Sequence, residues 1–291
     1  MLATLMPGCA FSSELSRQRS GDGSNQARAS DLHVLPERSA SPPPPPVDSG
    51  PPGTPVSTPA PSHSDASRTS PRLPSTPAAL ASVLEDREIA LRDPATPSQL
   101  LPLLAHQQQV IYRLLARQPE LAAQVRQALP ARWQPVLDLH LAARRAFLAM
   151  HPPRGGVSVV PAWRIRSPAP EAELLALYRQ AAQSTGIPWE VLAAINLVES
   201  GMGRIDGVSV AGAHGPMQFL PSTWSEPGIG QGGDIRDPRD AIPAAARYLV
   251  RRGGLRDMRR ALWGYNNSDH YGRGVLAYAA LLRQDPAAYR G

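Results

Sequence analysis

The stretch PWEVLAAINLVESG, residues 188–201, decides how the C-terminal half of the chain is read. Proline suits the first position of a helix, where its missing N–H leaves no bond unmade, and glycine ends one. The stretch therefore predicts a helix over 188–200. Leu192 and Ile195 precede Glu199 by seven and four residues and share one helix face with it. A carboxylate on that apolar face, in the last turn where the macrodipole disfavours negative charge, is expected to titrate above its ordinary value of about 4.3. An acid kept protonated near neutral pH is what cleavage of a glycosidic bond needs for its leaving oxygen. A helix-end Glu that curls into solvent would have no such task, and spacing alone leaves both readings open.

Outward from this helix the pattern stays helical. Glu171 to Ser184 reads as an amphipathic helix with Leu174, Leu175, Leu177 and Tyr178 inside and Gly186 as its stop. After Gly201 a glycine-rich loop runs to Gly215, followed by a short helical piece around Pro221–Trp224. Asp240 is placed to cap a helix through Arg252 that Gly253 and Gly254 end, and Arg256–Gly264 and Tyr271–Leu282 complete the set. Upstream, from about residue 81, Leu84, Ile89 and Leu91, then Leu100, Leu101, Leu104, Val110, Ile111, Leu114 and Leu115, recur at helical spacing. A third helix spans Val136 to Met150. His106 and Gln107, Gln108 and Gln109 are assigned to an exposed helix face, and Pro161 to Pro170 to an extended connector anchored by Trp163. No segment alternates as a strand does, so the fold class is all-α.

Composition divides the chain. Of 291 residues, the first 80 hold 15 of the 33 prolines, one of the 15 aromatics (Phe11) and no isoleucine. Such a segment buries too little apolar surface to offset its ordering entropy and is expected to be disordered, with Pro42 to Pro46 as a stiff polyproline spacer. The expected organisation is a tail over 1–80, a helical accessory segment and linker over 81–160, and a catalytic domain over 161–291. The absence of a glycine period excludes collagen. Cys9, the only cysteine, excludes a disulfide or zinc scaffold. No apolar run approaches the ~18 residues of a membrane span. All 30 basic residues are arginine, and the net charge of +6 is spread evenly over the two folded segments. That argues against nucleic acid as a partner, which favours a clustered basic stripe. The nearest cluster, Arg251, Arg252, Arg256, Arg259 and Arg260, reads as a solvated helix surface or as a weak attractor for an anionic cell wall. Cys9 follows Leu5-Met6-Pro7-Gly8, a short apolar start similar to a bacterial lipoprotein signal, though brief, uncharged and interrupted by Pro7. Cys9 is thus either a lipidation site, with the chain tethered to a membrane, or an incidental residue of the tail.

Four motifs in order carry a family resemblance. They are Val198-Glu199-Ser200-x-x-Gly203-Arg204; then Ser209-x-Ala211-Gly212-Ala213-x-Gly215-Pro216-Met217-Gln218-Phe219-x-Pro221-Ser222-x-Trp224; then Asp237-Pro238-x-Asp240-Ala241-Ile242 with Ala245-Ala246-x-Tyr248-Leu249; and last Tyr265-Asn266-x-Ser268-x-x-Tyr271. Over roughly residues 168–282 the chain resembles the lytic murein transglycosylases, of the membrane-bound B-like and soluble types, whose catalytic domain is lysozyme-like. The resemblance implies that Glu199 is the single catalytic acid and base, followed by the helix-ending Ser200 at the substrate site. It also implies that Ser209 and Gln218 bond the sugar near the scissile link, that Met217 and Phe219 line the groove or its floor, and that Tyr265 and Asn266 face the Glu across the cleft. Read without it, Gln218 could bond local backbone, Tyr265 could be core packing, and Arg204 could pair with Asp206. His214 and Gly264 depart from the usual family residues. Gly228 to Asp234 holds one carboxylate, too few for a calcium ion wanting 6–8 oxygens, so no metal or other cofactor is expected.

The implied partner is the glycan strand of peptidoglycan, met outside the cytoplasm by a secreted or lipid-anchored monomer. The implied reaction consumes no water. Glu199 protonates the oxygen leaving the muramic acid anomeric carbon, then as a base takes the proton of the same sugar's 6-hydroxyl, closing a 1,6-anhydro ring. A hydrolytic muramidase would need a second carboxylate about 5–5.5 Å or 6.5–9.5 Å away, for which Asp206 or an Asp within 234–240 is the nearest candidate in sequence. A wall-binding module with an idle Glu is the more distant rival.

Overall fold

A computed structural model describes residues 73–150 and 163–290. Cys9, the Pro42 to Pro46 run and the rest of the proline-rich segment lie outside these residues. The described chain is almost entirely helical. The first group comprises α1 (Pro77–Arg92), α2 (Leu101–Arg117), α3 (Pro119–Ala128) and α4 (Gln134–Met150). Then come β1 (Arg164–Ile165), α5 (Glu171–Thr185), α6 (Trp189–Ser200), β2 (Ile205–Asp206), α7 (Pro221–Trp224), α8 (Pro238–Arg251), α9 (Met258–Tyr265) and α10 (Asp269–Gln284). A 3-10 turn, Pro286–Arg290, follows.

Helices α5, α6 and α7 fall within a residue or two of their expected bounds. Elsewhere local chemistry moves the ends. Helix α1 starts at Pro77, ahead of residue 81, because Thr76 caps it by accepting the Ala79 N–H and proline takes the first turn. The cap of α8 is Asp237, not Asp240; its side chain accepts the Arg239 N–H at 2.8 Å, and Pro238 occupies the first position. Helix α9 begins after the Asp257 cap, beyond Arg256, and α10 after the Ser268 cap, so Tyr271 lies in its first turn. Helix α3 is divided from α2 by the single residue Gln118, with Pro119 in its first turn. Two residues of antiparallel ladder, Arg164 with Asp206 and Ile165 with Ile205, stand where no strand was expected. Beside this ladder, a Cβ on Gly207 would lie 2.4 Å from the Trp163 ring, so Trp163 does anchor the connector.

Two apolar clusters organise the body. One joins Leu80, Leu84, Ile111, Tyr112, Leu115, Val125 and Leu137 from α1–α4. The larger surrounds α6, whose residues 191–196 are all buried, with contributions from α5, α8, α9 and α10. Helix α10 lies between α4 and α6. Its approach to α4 depends on Gly274, where an added Cβ would lie 2.4 Å from the Phe147 ring. Gln108 departs from the exposed face expected of it. It is 2% exposed, because α1 lies over it and Glu88 accepts its side-chain N–H at 3.0 Å.

Candidate active site

Between Val191 and Ser200 only Leu197 and Glu199 keep partial exposure. Glu199 therefore emerges at the end of an otherwise enclosed helix. Its Oε1 accepts a hydrogen bond of 2.6 Å from the hydroxyl of Tyr271, a residue with no exposure of its own. The Tyr271 ring stacks on Tyr265, with centroids 6.2 Å apart and planes 5° from parallel. Tyr265, 4% exposed, donates its hydroxyl to the Met217 carbonyl at 2.7 Å. Tyr271 donates to Glu199, and the ring of Tyr265, the residue the resemblance places opposite the Glu, stacks against Tyr271.

The turn carrying Met217 is closed by a pair of bonds between His214 and Phe219, at 2.8 and 3.0 Å. Gly215 takes a φ of +76°, and a Cβ there would lie 1.9 Å from the Ile235 carbonyl, so no other residue fits. Gln218 is also left-handed, φ +49°, a conformation costing roughly 1–2 kcal/mol for a residue with a Cβ. Its side-chain amide donates to Gly215 O at 2.9 Å, the local bond that the residue-level reading allowed. This turn is tied to α6 by two donors on one carbonyl. Ser200 Oγ reaches Pro216 O at 2.6 Å and Asn196 Nδ2 reaches it at 3.0 Å. Asn196 Oδ1 accepts from the Tyr178 hydroxyl at 2.9 Å, and burial pushes that phenol's pKa far above the ordinary range, so it remains a donor.

The expected site residues thus separate into two groups. Glu199, Ser209 and Gln218 are partly exposed. Ser200, Met217, Phe219 and Tyr265 are enclosed and build the wall behind them. Ser200 was expected at the substrate; with no exposure, and with its hydroxyl also accepting the Gly203 N–H at 2.9 Å, it holds the loop instead. Met217 and Phe219 join the core, where Phe219 meets Trp224, Tyr248 and Tyr265 edge-on or tilted. Ser209 Oγ accepts the Ala213 N–H at 2.9 Å. Asn266, 9% exposed, carries a buried Nδ2 without a hydrogen-bond partner among the described residues.

Tyr271 and Asn196 are the residues whose roles the sequence did not yield. Tyr271 stands in the quoted motif without an assignment. Asn196, an amide inside an apolar helix run one turn before Ser200, was the available signal for a buried polar clamp.

The other acids near the site are committed. Asp206 pairs with Arg166 at 2.7 Å and not with Arg204. Asp234 Oδ1 accepts the Arg236 N–H and Asp240 Oδ2 accepts the Asp234 N–H, each at 2.8 Å, while Asp237 caps α8. Among the described residues no cluster of three His, Cys, Asp or Glu is placed to hold a metal ion.

A helical body whose central helix ends in a partly exposed carboxylic acid, bonded by a tyrosine and next to a glycine-proline turn clamped to the same helix, is of the lysozyme-like class. Residues 176–279, about a third of the chain, match the family model of the transglycosylase SLT domain. The chain has no match among curated proteins and none among solved structures.

Proposed function

We propose that the chain cleaves the β-1,4 bond between N-acetylmuramic acid and N-acetylglucosamine without water, leaving 1,6-anhydromuramic ends, with Glu199 as acid and then base. The observation that carries this reading is the pairing of a partly exposed Glu199 with the buried Tyr271 hydroxyl at 2.6 Å. With Tyr271 donating to Oε1, the protonated Glu199 carboxyl delivers its proton to the leaving oxygen. The negative charge that then forms on Glu199 is stabilised by the same hydroxyl until the carboxylate takes the proton of the 6-hydroxyl. The substrate's acetamido oxygen shields the anomeric carbon meanwhile, and the unspent Nδ2 of Asn266 is the donor proposed to orient it. The transglycosylase route is favoured over a muramidase because Asp206, Asp234, Asp237 and Asp240 are engaged with Arg166 or with backbone N–H groups. A substrate of this kind sets the workplace outside the cytoplasm, and Cys9 is the proposed point of lipid attachment.

The test is to incubate the full chain and its Glu199→Gln variant with purified peptidoglycan and weigh the released fragments by mass spectrometry. Products lighter by one water than reducing muropeptides, absent with the variant, are expected. Reducing ends would establish a hydrolase. Wall binding without release by either protein would establish a binding module.

A further inference from the structure

The arginine group seen in the sequence plays no part in the chemistry above. In the structure the end of α8, the turn after it and the start of α9 enclose a recess of about 460 Å³ lined by Arg251, Arg252, Gly253, Arg256, Asp257 and Arg260. Two of the four guanidiniums are partly engaged. Arg251 pairs with Glu226 at 2.9 Å and also bonds the Pro227 carbonyl. Arg252 donates to the Tyr248 hydroxyl at 2.8 Å and lies 5.0 Å from that ring's centre. The guanidiniums of Arg256 and Arg260 have no hydrogen-bond or ion-pair partner among the described residues. Asp257, the one acid of the lining, is used as the α9 cap, its Oδ1 accepting the Arg260 N–H at 3.0 Å.

We propose that this recess binds a phosphoryl group carried on a small organic moiety. Four guanidiniums set against Asp257 and Glu226 leave two positive charges, which matches a phosphate dianion. Each guanidinium is a planar fork that meets two oxygens at once. Forks brought from two helices around a hollow suit the oxygens of a tetrahedral anion better than the single plane of a carboxylate. The volume exceeds that of a bare phosphate. Trp263, three residues after Arg260 on the same side of α9, is 50% exposed. The same chemistry is presented by a soluble phosphate ester and by an anionic phospholipid headgroup.

Calorimetric titration of the full chain at low salt tests the assignment. The probes are inorganic phosphate, acetate, vesicles of equal parts phosphatidylglycerol and phosphatidylcholine, and vesicles of phosphatidylcholine alone. Saturable phosphate binding that weakens as salt rises is expected. The Arg256→Ala/Arg260→Ala double variant should keep the wild-type unfolding midpoint and bind roughly tenfold more weakly or worse, while Arg283→Ala, an exposed arginine elsewhere, should bind as wild type. Phosphate binding without vesicle binding assigns a soluble ester. Binding to the anionic vesicles that phosphate competes away and the double variant loses assigns a headgroup. The proposal is overturned if neither phosphate nor the anionic vesicles bind saturably, if acetate binds as tightly as phosphate, or if Arg283→Ala loses as much as the double variant.

Discussion

Each half of the helical body contains a carboxylate that accepts a hydrogen bond from a fully buried tyrosine hydroxyl, and the two surroundings differ. In the α1–α4 half Tyr112 donates to Glu88, which is 1% exposed and also held by Gln108 and by the Arg92 guanidinium. Arg92 reaches on to Asp285, and burial pushes the Tyr112 phenol well up so that it stays a donor. There the Glu88 carboxylate is closed off from solvent and its charge is paired with Arg92 inside the protein. In the α5–α10 half Tyr271 donates to Glu199 at the end of a helix, where the carboxylate is partly exposed. A tyrosine beside a buried acid is therefore no mark of chemistry on its own. What distinguishes the two is that Glu88 is enclosed while Glu199 is partly exposed.

Paired substitutions put this contrast at risk. Glu199→Gln should lower peptidoglycan release by about 10²–10⁴-fold and shift the urea midpoint little, whereas Glu88→Gln should destabilise the fold by about 3 kcal/mol and leave the specific activity of folded protein intact. Parallel measurements of turnover and unfolding would expose an exchange of these roles. Tyr271→Phe should cost roughly 1.5–3 kcal/mol of a bond to a charged group, read as a 10–100-fold fall in kcat with little change in KM. Gly274→Ala drives a Cβ into the Phe147 ring. It should cost about 1–3 kcal/mol by overpacking, in part recovered when Phe147→Leu is added.

A pH-dependent contrast concerns His140, stacked on Tyr112 at 3.9 Å between ring centres. Burial, reinforced by the positive charges of Arg144 and Arg92, lowers its pKa to about 3. An unfolded chain binds a proton there below about pH 6.5 that the folded one refuses. Stability should then fall by about 1.4 kcal/mol per pH unit as the pH drops from 6.5 toward 3. His140→Phe should remove that part of the slope in urea titrations run across the range.

What could be read from the sequence was what local chemistry decides. The Pro188 to Gly201 helix, its neighbour from Glu171 and the short piece at Pro221 are bounded by proline and glycine and carry their own apolar spacing. Contacts made across the fold were not readable. Tyr265 and Tyr271 stand six residues apart in one motif, and the bond from Tyr271 to Glu199 depends on how α10 crosses α6. Gln108 looks like surface until α1 is laid over it. The two-residue ladder joins segments forty residues apart with no pattern in either. Asp237 and Asp240 both offer a cap, and Pro238 at the first helical position favoured the earlier one.

The seam between α4 and α10 bears on what could be moved between proteins. The family match ends at residue 279, inside α10, and begins within α5. The body into which it fits starts at Pro77, and Arg290 reaches back from the far end to the Asp93 carbonyl and to Glu171. A graft of the matched segment alone would cut α10 short and strip Tyr278 and Gly274 of their cover on the α4 side. A transplant that keeps α10 packed must carry α4 along with it, so the packed unit is wider than the matched one.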